Sequence, residues 1–295
     1  MSRLSTYMRR TSQVLRDNTS RILRMQGAEE PSRAPKLLFK FNSKQDIDDV
    51  ALGCDADIGG KSTAHFDLDE TSAKDKKSVT YLGRPTGKFW GEMSLGVREE
   101  LEGKVRGGYA GFRSKRRLTL FGELTDDVSY HRYLALRVRA AGHPRTRNSY
   151  YVNIQTDGPI ASDLWQHRLF FNREDGGWED IFIPFDRFVL TNSGEIASHQ
   201  IEMYRERIRT IGVSLLGGNS GVEGPYELGI DCIRAVNQQD VTVEPNALGR
   251  HSVGAKACRR GSVAPLYGQS QYIPFTTGPA GLLTGLQRAT RGTLK

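Results

Sequence analysis

The sequence predicts an all-β protein built as a β-sandwich or jelly roll. Short segments in which apolar and polar residues alternate recur along the chain, and glycine-rich turns rather than helices separate most of them. The clearest segment is 133–139, in which Leu134, Leu136 and Val138 share one face. With 295 residues, of which 37% are apolar, the chain is long enough for one large domain of this kind. We place that domain at residues 36–240.

Residues 1–35 precede the predicted domain and combine a basic amphipathic segment with a polar linker. Leu4, Met8, Leu15 and Ile22 fall roughly on one helical face. The first 24 residues hold a single acid, Asp17, and six arginines: Arg3, Arg9, Arg10, Arg16, Arg21 and Arg24. This composition is typical of a mitochondrial presequence. The alternative is a retained amphipathic helix that lies on a partner or on a membrane surface.

The positive charge of the chain belongs to its two ends. The net charge is +8; residues 1–24 contribute +5 and residues 246–295 contribute +7, which leaves the middle at −4. A nucleic-acid-binding domain would carry positive charge on its folded surface, so we expect no nucleic-acid partner. The N-terminal arginines and the 241–295 extension, which includes Arg288 and Arg291, are instead predicted to contact an anionic membrane or a partner protein.

Two patterns early in the domain have the look of ligand sites, and we interpret both as structural. Residues 46–49 contain three aspartates but lack the glycine and the terminal glutamate of a calcium loop. Residues 59–62 read GGKS, yet the first glycine of a phosphate loop is missing and no helical pattern follows. We therefore predict neither a metal nor a nucleotide here.

Residues 103–117 mix glycines and basic residues with two aromatic residues, Tyr109 and Phe112. Such a mixture can bind single-stranded nucleic acid, because each base offers a face on which an aromatic ring stacks. We favour a pair of strands with Tyr109 and Phe112 turned inward and the basic side chains outward. The end of this stretch is then a candidate partner-binding edge, formed by Arg113, Lys115, Arg116 and Arg117.

Residues 168–190 are predicted to form a β-hairpin at the centre of the fold. A run with strand character breaks at the glycines of the 175–177 turn and restarts at Trp178, which we expect to be buried against the facing sheet. Pro184 should end the pairing, since proline has no amide hydrogen to donate. Phe185 and Phe188 would then fold back into the core.

The last part of the domain contains a short predicted helix at 201–210 and two more strands. The strand at 211–216 is predicted to be buried, because four of its six residues are Ile, Val or Leu. Gly224 and Pro225 introduce the long alternating strand 226–233, which contains Asp231 and should close the domain.

The sequence offers no recognisable catalytic constellation. The six histidines lack the spacing of a zinc-dependent hydrolase, and no G-x-S-x-G motif is present. The three cysteines are odd in number and form no C-x-x-C pair, which argues against a disulfide framework and a zinc site. No apolar run is long enough for a membrane-spanning helix. We expect a non-enzymatic protein without catalytic residues, cofactor or small-molecule substrate.

Several short motifs, taken in order, carry a family resemblance. They are the strand at 133–139, Trp178, the stretch Ile183-Pro184-Phe185 with Phe188, the pair Ile211-Gly212, and residues 224–231, which begin with Gly224-Pro225 and end with Asp231. Together they resemble the complex I intermediate-associated protein 30 family. The resemblance implies a galactose-binding-like jelly roll, similar to some carbohydrate-binding modules. It also implies a chaperone in the mitochondrion that assists an early membrane-arm intermediate of respiratory complex I, NADH:ubiquinone oxidoreductase. Its partners would be membrane-arm subunits and other assembly factors, on the matrix side of the inner membrane.

A carbohydrate-binding module of the same fold is the alternative. Aromatic side chains that could form a sugar platform are Trp90, Tyr150, Tyr151 and Trp165. Tyr150 and Tyr151 are adjacent on one strand, so they must point to opposite faces of the sheet.

Overall fold

The computed structural model describes residues 3–23, 32–74, 78, 80–192 and 194–245. Helical segments are short except for the first one. The helices are α1 (Arg3–Leu23), α2 (Lys44–Asp48), α3 (Thr71–Lys74) and α4 (Gly217–Ser220). The strands are β1 (Lys36–Lys40), β2 (Val50–Cys54), β3 (His65–Asp69), β4 (Thr86–Met93), β5 (Tyr109–Ser114), β6 (Arg117–Thr119), β7 (Gly122–Leu124), β8 (Tyr133–Gly142), β9 (Tyr150–Thr156), β10 (Asp163–Arg168), β11 (Glu179–Pro184), β12 (Val189–Asn192), β13 (Glu195–Ile196), β14 (Ile208–Leu216) and β15 (Gly224–Val236).

Two antiparallel sheets pack face to face, which confirms the predicted all-β jelly-roll sandwich. Sheet A has the strand order β11-β8-β15-β4-β3, with β1 also paired to β15. Sheet B has the order β13-β12-β10-β9-β14-β5-β2. The ribbon β6–β7 pairs only with itself among the described strands and stands outside both sheets.

The long closing strand β15 organises sheet A. It contains the predicted strand 226–233 and extends it by two residues at the start and three at the end. It pairs with β8 along one edge, while β4 and β1 lie end to end along the other. The register of β15 shifts between Ile230 and Cys232. This bulge inserts one extra residue, so that both Ile230 and Ile233 point into the core although three positions separate them.

The core lies between the sheets and follows from strand alternation. In β8 the predicted inward residues Leu134, Leu136 and Val138 are all fully buried. They meet the inward residues of sheet B, such as Val152 and Ile154. Tyr109 and Phe112 are also buried, which confirms that the aromatic residues of the basic stretch point away from solvent.

The predicted hairpin at 168–190 is wrong. The strand before the turn, β10, belongs to sheet B, and the strand after it, β11, pairs with β8 in sheet A. The intervening residues therefore carry the chain from one sheet to the other. Local alternation predicted both segments as strands, but it contains no information about which distant strand each one pairs with. Pro184 does end β11, and Phe185 and Phe188 are buried as expected.

Trp178 is buried, but against a different surface from the one predicted. Its side chain lies on the outer face of sheet A, where Nε1 donates to the carbonyl of Thr80 at 2.8 Å. The guanidinium of Arg139 lies 5.8 Å from the indole centroid. Arg139 is itself buried and pairs with Asp69 and Glu227. The segment after β3 thus adds a cover over this face.

The predicted helix at 201–210 is also wrong. Only Arg205–Arg207 forms a single 3₁₀ turn, and β14 begins at Ile208. Ile208 is fully buried and pairs with Thr156, so tertiary pairing overrides the local helical preference. The arginines of this segment pair with acids of other loops; Arg207 and Arg209 both contact Asp157.

Asp231 ties together three segments that are far apart in the sequence. Its carboxylate is fully buried and accepts hydrogen bonds from Arg84 Nε at 2.8 Å and Nη2 at 2.5 Å, and from Asn42 Nδ2 at 2.8 Å. Burial alone would raise the pKa of Asp231, but the bonds from Arg84 and Asn42 outweigh burial and hold the pKa below its usual value. The carboxylate is therefore charged and matched by donors.

We predict that Asp231→Ala destabilises the domain by about 2–3 kcal/mol at neutral pH, because Asn42 and Arg84 lose a charged acceptor. The lowered pKa means that this contribution is complete above the unfolded pKa of about 4 and is lost as the pH falls through the folded value. Urea unfolding at pH 7 and near pH 3 should show the gap to the wild type closing on acidification. Asp186→Ala, at an exposed ion pair with Arg187, serves as the control and should change stability by less than about 0.5 kcal/mol. A pH-independent gap for Asp231→Ala would contradict this account.

Trp178→Ala should cost about 3–5 kcal/mol, because it empties a buried aromatic site and leaves the Thr80 carbonyl without its donor. Trp178→Phe keeps most of the packing and should cost less. Thermal or urea unfolding of both variants measures the difference. A melting temperature for Trp178→Ala equal to that of the wild type would mean that the indole contributes no packing energy.

Candidate functional site

The four aromatic residues proposed as a sugar platform do not come together. Tyr150 and Trp165 are buried in the core between the sheets. Burial raises the pKa of Tyr150 well above its ordinary value, so its hydroxyl stays neutral. Tyr151 lies on the outer face of sheet B and Trp90 on the outer face of sheet A. Two of the four are buried, and the other two lie on opposite faces of the sandwich.

Trp90 is half-exposed and already has close neighbours. The ring of His65 stacks on it with centroids 4.5 Å apart, and Lys88 Nζ lies 5.4 Å from its centroid. Its Nε1 donates to Asp67 at 2.6 Å. This cluster is a small polar patch on the outer face of sheet A.

A groove of about 800 Å³ opens at one end of the sandwich. Its buried floor is aromatic and apolar, with Trp165, Phe185, Phe188 and Met203. The lining also includes the charged residues Arg132, Arg187, Arg205, Asp186, Glu202 and Glu244. Positive and negative groups are equal in number, so the groove has no net preference for an anion or a cation.

The two ligand-like patterns of the early domain have structural roles. Asp46 accepts from Ser43 Oγ at 2.7 Å at the start of α2. In the GGKS stretch, Ser62 donates to Asp55 through its amide and its hydroxyl, both at 2.9 Å. Asp55 is fully buried and also accepts from the amide of Gly108 at 2.5 Å. Among the described residues no group of three or more potential metal ligands is found.

The basic residues of the predicted partner-binding edge make contacts within the chain. Arg113 lies on β5, and Lys115 Nζ donates to the Asp48 carbonyl at 2.5 Å. Arg116 pairs with Glu123, whereas Arg117 pairs with Asp126 and lies over the ring of Phe39. The structure brings Arg116 and Arg117 together at the base of the β6–β7 ribbon. Their role toward a partner stays a prediction.

Glu123 is the centre of the ion pairs that hold the ribbon. It lies on β7 and is mostly buried; Arg116 binds it from the residue before β6, and Arg209 binds it from β14 at 3.2 Å. Arg209 also contacts Asp157. Because Glu123 joins both sides of the ribbon to sheet B, the ribbon is held in place at its base.

The tip of the ribbon presents large apolar side chains to solvent. Phe121 is 78% exposed and Leu120 is 55% exposed, and both lie in the turn between β6 and β7. The sequence analysis did not single out these residues. A signal existed, because the stretch from Arg117 to Glu123 puts apolar residues at a tight turn with charged residues on both sides.

Helix α1 lies beside this ribbon. Arg10 pairs with Asp49 at 3.3 Å, and the amide of Leu120 donates to Thr11 Oγ1 at 3.2 Å. Thr11 is buried by the contact, yet Leu4, Met8 and Leu15 on the same side of the helix are each at least 50% exposed. We call the surface formed by Leu4, Met8, Leu15, Leu120 and Phe121 the apolar ridge.

The arginines predicted to contact a membrane or a partner from the two tails differ in their surroundings. Arg9 and Arg16 are exposed on α1, whereas Arg10 is engaged by Asp49. The side chains of Arg3 and Ile22, and residues Arg288 and Arg291, lie outside the described part of the chain. In the part of the chain that the structure describes, no helix is long and apolar enough to cross a membrane.

One buried histidine, His167, faces the core. His167 lies on β10 beside Phe188, and burial lowers its pKa to about 4, so it is neutral at physiological pH. It lies too deep to act as a surface acid or base.

Residues 39–230 match the family model described as Complex I intermediate-associated protein 30. This match covers most of the two-sheet domain. The chain belongs to that family. The segments that carried the resemblance lie on or beside β8, β11, β14 and β15, so the family pattern follows the strands of both sheets.

Curated relatives carry the same description and are named as mitochondrial proteins. The *Neurospora crassa* protein is 34% identical over 217 residues, which cover 70% of this chain and 75% of the relative. The *Drosophila melanogaster* protein is 29% identical over 67% of this chain and 61% of the relative. The *Mus musculus* protein is 28% identical over 67% of this chain and 55% of the relative.

Solved structures with a similar arrangement are more distant. A family 11 carbohydrate-binding module from *Clostridium thermocellum*, in complex with a mixed-linked tetrasaccharide, has a TM-score of 0.44 at 11% identity. The alignment covers 70% of this chain and 98% of that module. An exo-β-agarase has a TM-score of 0.38 at 11% identity, with 73% of this chain and 25% of that one covered.

We predict that Glu123→Ala loosens the ribbon without unfolding the sandwich. Arg116 and Arg209 lose their shared acceptor, which should cost about 1–2 kcal/mol. Hydrogen exchange measured by mass spectrometry should be faster in peptides that cover 117–124 and unchanged in those that cover β8. Glu195→Ala, at an exposed residue of β13, is the control. Equal exchange in the ribbon of wild type and Glu123→Ala would show that the ion pairs do not hold it.

Proposed function

We propose that the protein is a non-enzymatic assembly factor for mitochondrial respiratory complex I that assists an early membrane-arm intermediate by binding other proteins. The observation that carries this proposal is the family match over residues 39–230, together with relatives named complex I intermediate-associated protein. The proposed partners are membrane-arm subunits and other assembly factors.

The surface chemistry agrees with a binding role. The basic edge lies at the base of the β6–β7 ribbon, which ion pairs hold in place, so little ordering would be needed when a partner binds. The buried titratable groups, in contrast, serve the fold: Asp231 and Asp55 each accept several internal hydrogen bonds. We assign the partner-binding surface to the basic edge at the base of the β6–β7 ribbon, formed by Arg113, Lys115, Arg116 and Arg117.

We place the protein on the matrix side of the inner membrane, peripherally attached. The excess of positive charge in residues 1–24 and 246–295 supports this location, because anionic lipid attracts clustered basic residues. The hypothesised contacts are Arg3, Arg9, Arg10 and Arg16 at one end and Arg288 and Arg291 at the other. Arg10 contributes less in this proposal, since Asp49 already neutralises it.

Affinity purification of the tagged full-length chain from mitochondria tests the function. Membrane-arm subunits of complex I and other assembly factors should dominate the co-purified proteins. A matched pair of variants, Glu123→Ala in the ribbon and Glu195→Ala on β13, then tests the surface; the first should recover less of these partners. If the wild type recovers only matrix metabolic enzymes, the assembly role is wrong.

A further inference from the structure

The apolar ridge combines two elements that differ in character. The turn of the β6–β7 ribbon projects Leu120 and Phe121, and α1 lies alongside with Leu4, Met8 and Leu15. The hydrogen bond between Leu120 and Thr11 joins the two elements at one point. A helix that lay on the body to complete the core would bury its apolar stripe, but these three side chains remain at least half exposed.

The order of side chains around α1 shows what borders the apolar stripe of Leu4, Met8 and Leu15. At about 100° per residue, Met8 and Leu15 lie on one side of the contact residue Thr11, and Arg9 and Arg16 follow about 100° further round. Tyr7 and Val14 lie on the other side of Thr11 and are half-buried. The apolar stripe is therefore bordered by the protein body on one side and by exposed arginines on the other.

The charges near the ridge favour one class of partner. Asp17 is the only acid of α1, whereas Arg9 and Arg16 are exposed. At the ribbon the charged groups neutralise each other, since Arg116 pairs with Glu123 and Arg117 with Asp126. The tip is thus apolar and neutral, and the helix beside it is basic. An amphipathic helix whose apolar stripe is bordered by arginines can lie at the interface of an anionic bilayer, and the exposed Phe121 beside it can insert among the lipids.

We propose that the apolar ridge is a membrane-docking site, in which Phe121 and Leu120 insert among the lipids while Arg9 and Arg16 contact anionic headgroups. This inference rests on the proposed function for its location and takes α1 as retained, the second of the two interpretations of residues 1–24. It replaces a free basic tail by a composite surface of α1 and the folded domain. The Arg10–Asp49 ion pair and the Thr11–Leu120 bond set the angle between helix and ribbon. The domain would then sit on the bilayer in a single orientation.

Flotation of the purified full-length chain with vesicles tests the proposal. Phosphatidylcholine vesicles with cardiolipin should bind the wild type, and Phe121→Asp should bind about tenfold more weakly because the apolar insertion is lost. Ile160→Asp is the matched control, since Ile160 is 52% exposed, almost the same as Leu120, and lies between β9 and β10. Both sites are exposed, so unfolding curves should match the wild type.

The electrostatic part has its own pair of variants. Arg9→Ala with Arg16→Ala should weaken binding about tenfold on vesicles with cardiolipin and leave the weaker binding to pure phosphatidylcholine unchanged. Arg132→Ala with Arg187→Ala, two exposed arginines at the end groove, should have no effect.

Insertion itself is measured by fluorescence. On vesicles, the emission of a tryptophan introduced by Phe121→Trp should shift to shorter wavelength and be quenched by brominated lipid. The emission of Ile160→Trp should not change.

If Phe121→Asp binds vesicles as tightly as Ile160→Asp, or if the Phe121→Trp emission is unchanged, the proposal is overturned. If Phe121→Asp keeps vesicle binding but loses co-purified subunits from detergent extracts, the ridge binds protein and not lipid. Wild-type vesicle binding without any complex I subunits would instead leave the docking site standing and refute the assembly role.

Discussion

The fold depends on the hydrogen bonds to the carboxylate of Asp231, which has no access to water. Asp231 lies within the bulge of β15, the strand that connects β8 to β4 and β1, and its donors come from residues 42 and 84. The bulge is what permits this arrangement, because it turns Asp231 outward while Ile230 and Ile233 both face the core. The carboxylate thereby anchors the segment that covers the outer face of sheet A, under which Arg139 and Trp178 are buried. The hydrogen bonds that replace water around this one carboxylate thus fix the position of three chain segments.

Much of the fold could be predicted from the sequence, because strand alternation is a local property. The inward face of β8, the end of β11 at Pro184 and the strand 226–233 within β15 all follow from patterns a few residues long. Pairing is a different matter. Both strands predicted around the 175–177 turn exist, but they belong to different sheets. Which sheet each one joins depends on pairing with the distant strands β8 and β9. The helix predicted at 201–210 was wrong for the same reason, because distant contacts decide the structure there. Arg207 and Arg209 bind acids from other parts of the fold.

The candidate site was harder to predict than the fold. A basic stretch attracts attention in a sequence, yet Arg116 and Arg117 turned out to hold the ribbon through Glu123 and Asp126. Leu120 and Phe121 read as ordinary strand residues, because apolar residues in a β protein usually face a second sheet. Their exposure follows from β6 and β7 standing outside both sheets, which is a property of the topology. The family match over residues 39–230 spans the ribbon together with the two sheets, but it assigns no contact to any one surface.

The position of β15 in the chain has a consequence for how the protein is made. The strand at the centre of sheet A is the last of the described strands, and the residues that it pairs with in β1, β4 and β8 lie about 80 to 200 positions earlier. During synthesis or import these partners emerge first and have no central strand to pair with. Their edges and apolar faces stay open until residue 236 arrives, which is a state that aggregates readily. A protein proposed to assist the assembly of others therefore has a slow, non-local folding problem of its own.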